Sequence, residues 1–334
     1  MELFPFRPHP LVPGGHLQTI VGYYLSSPKN VERTYRHRVP VSDGDELVIC
    51  ENRPDSKSEP RAVILFMHGL GGEARSPYML RLAKLFQEQS WIAFRMNHRG
   101  AGEGRGLARN IYHSGRSDDV SQVLMKIAEL YPNLPLIAVG FSLSGNALLK
   151  LLGENQFPVA SNLKGAIAVT PPIELSRCAD ALCQTRNRIY DLRFMIMLRQ
   201  AIEERKQDFP GFPDFKISLF ANIREFDELV TAPLNNFKSA EDYYSKCSAK
   251  QFLAQMSVPT FLLASDDDPF VPNQTFENLP KNKFLRVEIT RGGGHVGYVS
   301  AYKTPLGNRR WMDYAILTYS QWRIEARDSS LVYH

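Results

Sequence analysis

The sequence predicts an α/β fold, in which a mostly parallel sheet carries helices on both faces. The first observation is that short, wholly apolar segments alternate with segments whose apolar residues recur at helical spacing. Such apolar runs suit strands buried on both faces, and their alternation with helices indicates βαβ units. The second observation is composition: 43% of the 334 residues are apolar and 22% are charged, which excludes disordered and fibrous proteins. We therefore expect one domain over residues 1–334.

The predicted elements follow one another along the chain. Residues 1–40 are rich in Pro and Gly and predict an irregular arm laid over the domain. Ser76 and Pro77 form a typical helix start, and Asp118 and Asp119 suit the positive end of a helix dipole. The predicted strands are 62–67, 91–96, 136–139, 165–169, 260–264 and 284–289. The predicted helices are 76–89, 117–130, 143–152 and about 309–327.

The alternation stops over about residues 171–244, which predicts an inserted helical cap. This segment is charged and helical in pattern, with apolar residues roughly on one face. They are Ile189, Leu192, Met195, Ile196 and Ile202. Such a face either lines a pocket for an apolar ligand or packs on the sheet domain.

Charge and cysteine content narrow the class of protein. The net charge of +5 comes from interleaved basic and acidic residues, which predicts no nucleic-acid partner and leaves peripheral contact with an anionic membrane open. No apolar stretch reaches the ~18 residues of a membrane span, and the first residues do not match a secretory signal. The four cysteines lack metal-ligand spacing, so we expect reduced thiols and a cytoplasmic protein.

A candidate nucleophile follows the predicted strand 136–139. Residues 140–145 (GFSLSG) nearly match G-x-S-x-G, the sharp strand-to-helix turn that exposes a nucleophilic serine. Ser144 stands where the second glycine is expected, but it is small enough for the turn to form. Ser142 follows a glycine by two residues and is therefore the predicted nucleophile. The alternative is a plain strand–helix turn with an incidental serine.

A serine hydroxyl needs a base, and the base needs an acid that orients it. His295 lies in a glycine-rich loop after the last predicted strand, where a base is expected. Asp266, Asp267 and Asp268 follow the preceding strand, although a solvated turn or a divalent-cation site would also suit three acids. The chain order Ser, Asp, His is that of α/β hydrolases. Asp268 is the predicted acid because Pro-x-x-Pro follows it, and Asp267 is the alternative.

Two backbone N–H groups are predicted to bind the oxyanion of a tetrahedral intermediate. One belongs to Leu143, directly after the serine, and the other to Leu70 in the loop 68–72 (HGLGG). No Lys-Ser or Lys-Thr follows this loop, which excludes a P-loop, and the glycines at 100–106 have the wrong spacing for dinucleotide binding. We expect no metal and no organic cofactor.

Several segments resemble the YheT-like branch of the α/β-hydrolase superfamily, bacterial relatives of α/β-hydrolase-domain lipid esterases. They are GHLQT at 15–19, HGLGG at 68–72, NHRG at 97–100, GFSLSGN at 140–146, IREFD at 223–227, YY at 243–244 with CS at 247–248, DDDPF at 266–270 and GGHVG at 293–297. The resemblance implies a mostly parallel eight-stranded sheet and a catalytic triad of Ser142, Asp268 and His295. The chain departs from the family pattern at two positions. Ser144 replaces the second glycine of the sharp strand-to-helix turn, which we call the elbow, and Gly14 stands where Asn is common.

The predicted function is hydrolysis of carboxylic esters through an acyl-enzyme on Ser142, with short- to medium-chain or lipid-derived acyl esters as substrates. One alternative is an acyltransferase that uses the same three residues and passes the acyl group to an alcohol or amine. Another is a non-catalytic binding protein on a hydrolase fold.

Overall fold

The computed structural model describes residues 1–25, 27–55 and 59–325, which fold around an eight-stranded sheet. The strands are β1 (Thr34–Pro40), β2 (Glu46–Asn52), β3 (Ala62–Met67), β4 (Trp91–Asn97), β5 (Leu136–Phe141), β6 (Leu163–Val169), β7 (Thr260–Ser265) and β8 (Leu285–Thr290). Their order in the sheet is β1-β2-β4-β3-β5-β6-β7-β8. β2 pairs antiparallel with both of its neighbours, and the pairings from β4 to β8 are parallel. The predicted fold class is confirmed.

Helices pack on both faces of the sheet. They are α1 (Gly14–Tyr24), α2 (Pro77–Glu88), α3 (Ser117–Leu130), α4 (Leu143–Glu154), α5 (Leu175–Cys183), α6 (Arg188–Asp208), α7 (Ile223–Phe226), α8 (Ala232–Leu234), α9 (Ala240–Cys247) and α10 (Trp311–Glu325). Strand β3 shows both faces: Leu65 packs in the core that contains α3 and α4, whereas Ile64 and Phe66 pack in the core that contains α2 and α10. All six residues of β3 are buried, which is why the strand reads as a wholly apolar run.

The predicted strands and main helices are present, and their described ends differ from the prediction by at most two residues. The predicted end of the last helix, at about 327, lies outside the described residues. The cap of α2 is different from the prediction. Ser76 precedes the helix, but its side chain accepts no hydrogen bond from the helix. Its hydroxyl instead accepts the backbone N–H of Glu73 (3.0 Å), so it stabilises the preceding turn.

The prediction of an irregular arm over residues 1–40 is wrong, because this segment contains α1 and β1. The sequence pattern does not indicate α1, which holds three glycines and is a poor helix former by propensity. The glycines of α1 are instead explained by its close packing against distant parts of the chain. A Cβ at Gly15 would lie 1.8 Å from the carbonyl oxygen of Asp267, and one at Gly22 would lie 2.5 Å from the Cα of Gly297. The glycines therefore allow α1 to lie directly against two loops that follow β7 and β8.

Between β6 and β7 the chain forms α5 to α9. We call residues 171–244, which hold α5 to α8 and the start of α9, the cap segment. Its description as an insertion into one domain stays a prediction. The apolar residues of α6 do not share one face, contrary to expectation. Met195 and Ile202 are buried, whereas Ile189, Leu192 and Ile196 are 80%, 51% and 59% exposed. Helix α6 thus presents apolar side chains both to the interior and to solvent.

Candidate active site

Ser142 occupies the sharp turn between β5 and α4. Its φ of 51° and ψ of −118° lie outside the regions that non-glycine residues usually adopt. Its N–H donates to the carbonyl oxygen of Val169 (2.8 Å) at the end of β6. A Cβ at Gly140 would lie 2.5 Å from the carbonyl oxygen of Ser144, so this turn requires glycine there. The geometry is that of the strained elbow that the motif predicts.

Ser144, which departs from the family pattern, ties this elbow to the loop after β3. Its buried hydroxyl donates to the carbonyl oxygen of His68 and lies 2.6 Å from Nε2 of His98. Because the hydroxyl proton points to the carbonyl, Nε2–H of His98 is the donor in the second contact. Burial lowers the pKa of His98 well below its usual value and that of His68 to about 4, so both imidazoles are neutral near pH 7. The elbow forms with serine at this position and gains a hydrogen bond to the neighbouring loop.

Asp268 and His295 form a hydrogen-bonded pair. Oδ2 of Asp268 lies 2.7 Å from Nδ1 of His295, and the two side chains are 1% and 10% exposed. The other carboxylate oxygen, Oδ1, accepts the backbone N–H groups of Phe270 (2.9 Å) and Val271 (3.0 Å). These two bonds fix the carboxylate so that Oδ2 faces the imidazole. A proton held on Nδ1 leaves Nε2 available to accept one.

The two preceding acids make different contacts. Asp266 and Asp267 each accept a backbone N–H from the glycine-rich loop that carries His295, at 2.7 and 2.8 Å. They therefore brace this loop, and of the three neighbouring acids it is Asp268 that reaches the imidazole. Within the described ranges, no cluster of His, Cys, Asp and Glu side chains could hold a metal ion.

Two residues of α1 hold the glycine-rich loop that carries His295 (the histidine loop) from the other side, a role that no motif in the sequence predicted. Oγ1 of Thr19 accepts the backbone N–H of His295 (2.9 Å). Gln18 bonds Val299 twice, since Nε2 donates to its carbonyl oxygen (3.2 Å) and Oε1 accepts its N–H (2.7 Å). The available signal for this role was the resemblance of the GHLQT segment to the family. Gly14 has a φ of 74°, a left-handed conformation that Asn also tolerates, which explains the second departure from the family pattern.

The glycine-rich loop after β3 is fixed on both sides of Leu70. The N–H of Gly69 donates to the hydroxyl of Tyr78 (3.2 Å), and the N–H of Gly71 donates to the hydroxyl of Tyr112 (2.9 Å). The N–H of Leu70 itself donates no backbone hydrogen bond within the described part of the chain. The loop therefore holds one unused donor in a defined position.

Leu143, at the first turn of α4, offers a second donor. Its N–H lies at a helix N-terminus, where backbone N–H groups have no intrahelical partner. The two donor segments are close, since a Cβ at Gly69 would lie 3.1 Å from the Cβ of Ser142. Both Leu70 and Leu143 line the same cavity as Ser142 and His295.

Two cavities of about 380 and 170 Å³ share Ser142 and His295 in their walls. The larger one extends into the cap segment, and the smaller one lies between α1 and α6. Ser142 is half-buried and lines both cavities. No hydrogen bond joins it to His295 in the described residues, so direct contact between the two stays a prediction. Catalytic hydrogen bonds are often long before substrate binds.

The sheet topology, together with a serine at a strained strand–helix turn after β5, defines the class: this is an α/β hydrolase by fold. The family model described as alpha/beta hydrolase fold matches residues 62–302. The chain belongs to this family and, within it, to the YheT-like branch that its motifs predict.

The chain matches relatives in this family over most of its own length. YheT of Escherichia coli (strain K12), named as a candidate esterase, is 32% identical over 93% of this chain and 92% of its own. Phospholipase ABHD3 of Homo sapiens is 25% identical over 85% of this chain and 71% of its own. The solved structure of an esterase from Pyrococcus furiosus, at 14% identity, superposes with a TM-score of 0.56 over 90% of this chain and 99% of that one. At this identity the structural likeness shows the fold alone.

Proposed function

We propose that this chain is a serine hydrolase that cleaves carboxylic esters through an acyl-enzyme on Ser142. The observation that carries the proposal is the pairing of Asp268 with His295 beside a cavity that Ser142 also lines. A serine at a strained turn is by itself compatible with a structural role. A nearly buried carboxylate–imidazole pair facing the same space supplies the base that a serine nucleophile requires.

The reaction follows from these groups. Nε2 of His295 takes the Ser142 hydroxyl proton as Oγ attacks the acyl carbon, while Asp268 holds Nδ1–H and stabilises the imidazolium. The N–H groups of Leu70 and Leu143 bind the oxyanion of the tetrahedral intermediate. Its collapse breaks the ester bond, and the alcohol leaves with the proton from His295. Water then attacks the acyl-enzyme by the same route, which releases the carboxylic acid and restores the serine.

The larger cavity supports acyl esters of short to medium chain length, including lipid-derived ones. Its walls within the cap segment include the apolar side chains of Leu198, Ile202 and Phe226, which suit a hydrocarbon chain. Its volume of about 380 Å³ lies near the lower end of small-molecule sites, ~300–1,000 Å³. The names of the relatives, an esterase and a phospholipase, agree with an acyl ester. The cytoplasmic location stays a prediction.

Labelling with a fluorophosphonate tests the nucleophile, because this probe reacts with activated serines. We expect the wild-type protein to be labelled and Ser142→Ala to lose labelling entirely. Ser161→Ala, which alters an exposed serine outside the site, is the matched control and should label as wild type does. An unlabelled wild-type protein would reject the proposal in favour of the binding-protein alternative.

A panel of p-nitrophenyl esters of increasing chain length then tests the substrate class. We expect the highest kcat/KM for short or medium acyl chains and free carboxylic acid as the product. Analysis of the products with and without an acceptor alcohol separates hydrolysis from acyl transfer. An ester as the main product would identify an acyltransferase instead.

A further inference from the structure

We infer that the chain docks on an anionic lipid surface through an apolar face at the mouth of the smaller cavity. The face, which we call the docking face, is formed by α1, α6 and the loop before α7. Its most informative members are Ile20, Tyr24, Ile189, Leu192, Ile196 and Phe220, large apolar side chains that are all exposed. Contiguous exposed apolar surface of this kind marks an interaction site in a protein that folds in water.

The stripe on α6 is the centre of the docking face. Ile189, Leu192 and Ile196 are spaced three and four residues apart, so they project from one side of the helix. Met195 and Ile202 fill the interior side of the same helix. A helix that packs on one side against its own protein normally presents polar residues on the other. The apolar outer side of α6 therefore indicates a second apolar environment.

Contacts between the segments make the face continuous. The rings of His16 and Tyr190 stack with centroids 5.6 Å apart, and Arg193 donates to the hydroxyl of Tyr24 (3.0 Å), which joins α1 to α6. A further hydrogen bond joins α6 to the loop before α7, because Arg188 donates to the carbonyl oxygen of Phe220 (3.3 Å).

The charge of the docking face favours an anionic lipid surface over a second copy of the chain. Residues 11–24, 185–199 and 215–222, the three segments of the face, carry five basic side chains and a single carboxylate, Asp191. That carboxylate is buried and ion-paired with Arg188 (3.0 Å). Asp214, the exposed acid directly before the third segment, is ion-paired with Lys206 (2.5 Å), so basic side chains stay in excess on the face. A second copy of the chain would bring like charges together. Anionic phospholipid headgroups complement the arginines, while the apolar side chains enter the acyl boundary.

The docking face leads to the candidate site. Ile20 and Tyr24 belong both to the face and to the wall of the smaller cavity, whose other end is lined by Ser142 and His295. An acyl ester drawn from a lipid surface would therefore reach Ser142 without crossing bulk water. This last step rests on the proposed function, whereas docking itself does not.

Sedimentation with vesicles tests docking independently of catalysis. One set of vesicles contains two parts phosphatidylcholine to one part phosphatidylglycerol, and the other contains phosphatidylcholine alone. We expect wild-type protein to bind the mixed vesicles more tightly. The double variant Ile189→Glu/Leu192→Glu should bind them about a hundredfold more weakly, about tenfold for each apolar side chain lost from the interface. Met125→Glu, at an exposed apolar position on α3, is the control and should bind as wild type does.

A second measurement uses Leu192→Trp. Its fluorescence should shift to shorter wavelength when mixed vesicles are added, because the indole enters an apolar environment. Neither Ile189 nor Leu192 lines the cavities at Ser142, so all these variants should hydrolyse a soluble p-nitrophenyl ester at the wild-type rate.

The outcomes of these experiments distinguish lipid docking from self-association and from the proposed hydrolysis. Equal vesicle binding by wild type and double variant, or no binding by wild type, would overturn the docking inference. So would a dimer, detected by light scattering, that the double variant dissociates in the absence of vesicle binding, since the face would then belong to a second copy. Vesicle binding without ester hydrolysis would uphold docking and reject the proposed function.

Discussion

Asp268→Asn tests how the acid controls the imidazole, and the structure dictates how the new side chain must lie. In the wild-type protein Oδ1 of Asp268 accepts the N–H groups of Phe270 and Val271, and Oδ2 faces Nδ1 of His295 at 2.7 Å. An asparagine keeps its carbonyl oxygen on the two N–H groups, since its NH₂ cannot accept from them. The NH₂ then points at Nδ1 and donates to it. This places the imidazole proton on Nε2, which can no longer accept the proton of Ser142.

The expected loss in kcat/KM is about 10⁴-fold, or about 5 kcal/mol of transition-state stabilisation, as in the serine proteases where the corresponding change traps the wrong tautomer. Stability should change little, because the two backbone hydrogen bonds at Oδ1 are retained. We expect the free energy of unfolding to fall by about 1 kcal/mol or less. Activity and stability should therefore separate in this variant.

Initial rates with a p-nitrophenyl ester, together with urea unfolding curves, provide the measurement. Asp267→Asn is the matched control, because Asp267 is the neighbouring acid and contacts backbone and hydroxyl donors rather than the imidazole. It should keep activity within about tenfold of wild type. If Asp268→Asn retained wild-type activity, or if Asp267→Asn were the crippling change, the assigned orientation of the acid would be wrong.

Three further perturbations test the surrounding structure. Gly140→Ala places a Cβ 2.5 Å from a backbone oxygen, so we expect the free energy of unfolding to fall by about 1–3 kcal/mol and labelling by the fluorophosphonate to slow. Labelling at the wild-type rate would contradict a tight turn at Ser142. Tyr112→Phe removes the acceptor of the Gly71 N–H, a hydrogen bond that fixes the loop around Leu70. We therefore expect kcat to fall about tenfold with KM nearly unchanged. A change confined to KM would indicate that Tyr112 contacts the substrate. His68 has a pKa of about 4 in the folded protein against an ordinary 6.5, so the folded state binds fewer protons than the unfolded state between these values. The neutral imidazole's contribution to the free energy of unfolding is therefore complete above pH 6.5 and falls by about 3 kcal/mol as the pH approaches 4. Urea unfolding at about pH 7 and about pH 4.5 should show a steeper loss for wild type than for His68→Gln, and parallel losses would contradict this assignment.

Elements with a strong local pattern were predictable. Strand β3 is buried on both faces, and a run of six apolar residues predicts this burial. The turn around Ser142 constrains the residues beside it, so a glycine appears where a Cβ would collide. Helix α1 could not be found in this way, since its glycines are selected by contacts with Asp267 and Gly297, which lie far along the chain.

The sequence by itself determined the alternation of strands and helices, the elbow and the chain order of the serine, acids and histidine. These depend on backbone periods and on steric limits within a few residues. Only the tertiary structure decided that Asp268 rather than Asp267 reaches His295, that Thr19 and Gln18 hold the histidine loop, and that α6 turns an apolar side to solvent. Such choices depend on contacts between segments distant in sequence, and no local pattern encodes which of several equivalent side chains will meet a partner when the chain packs.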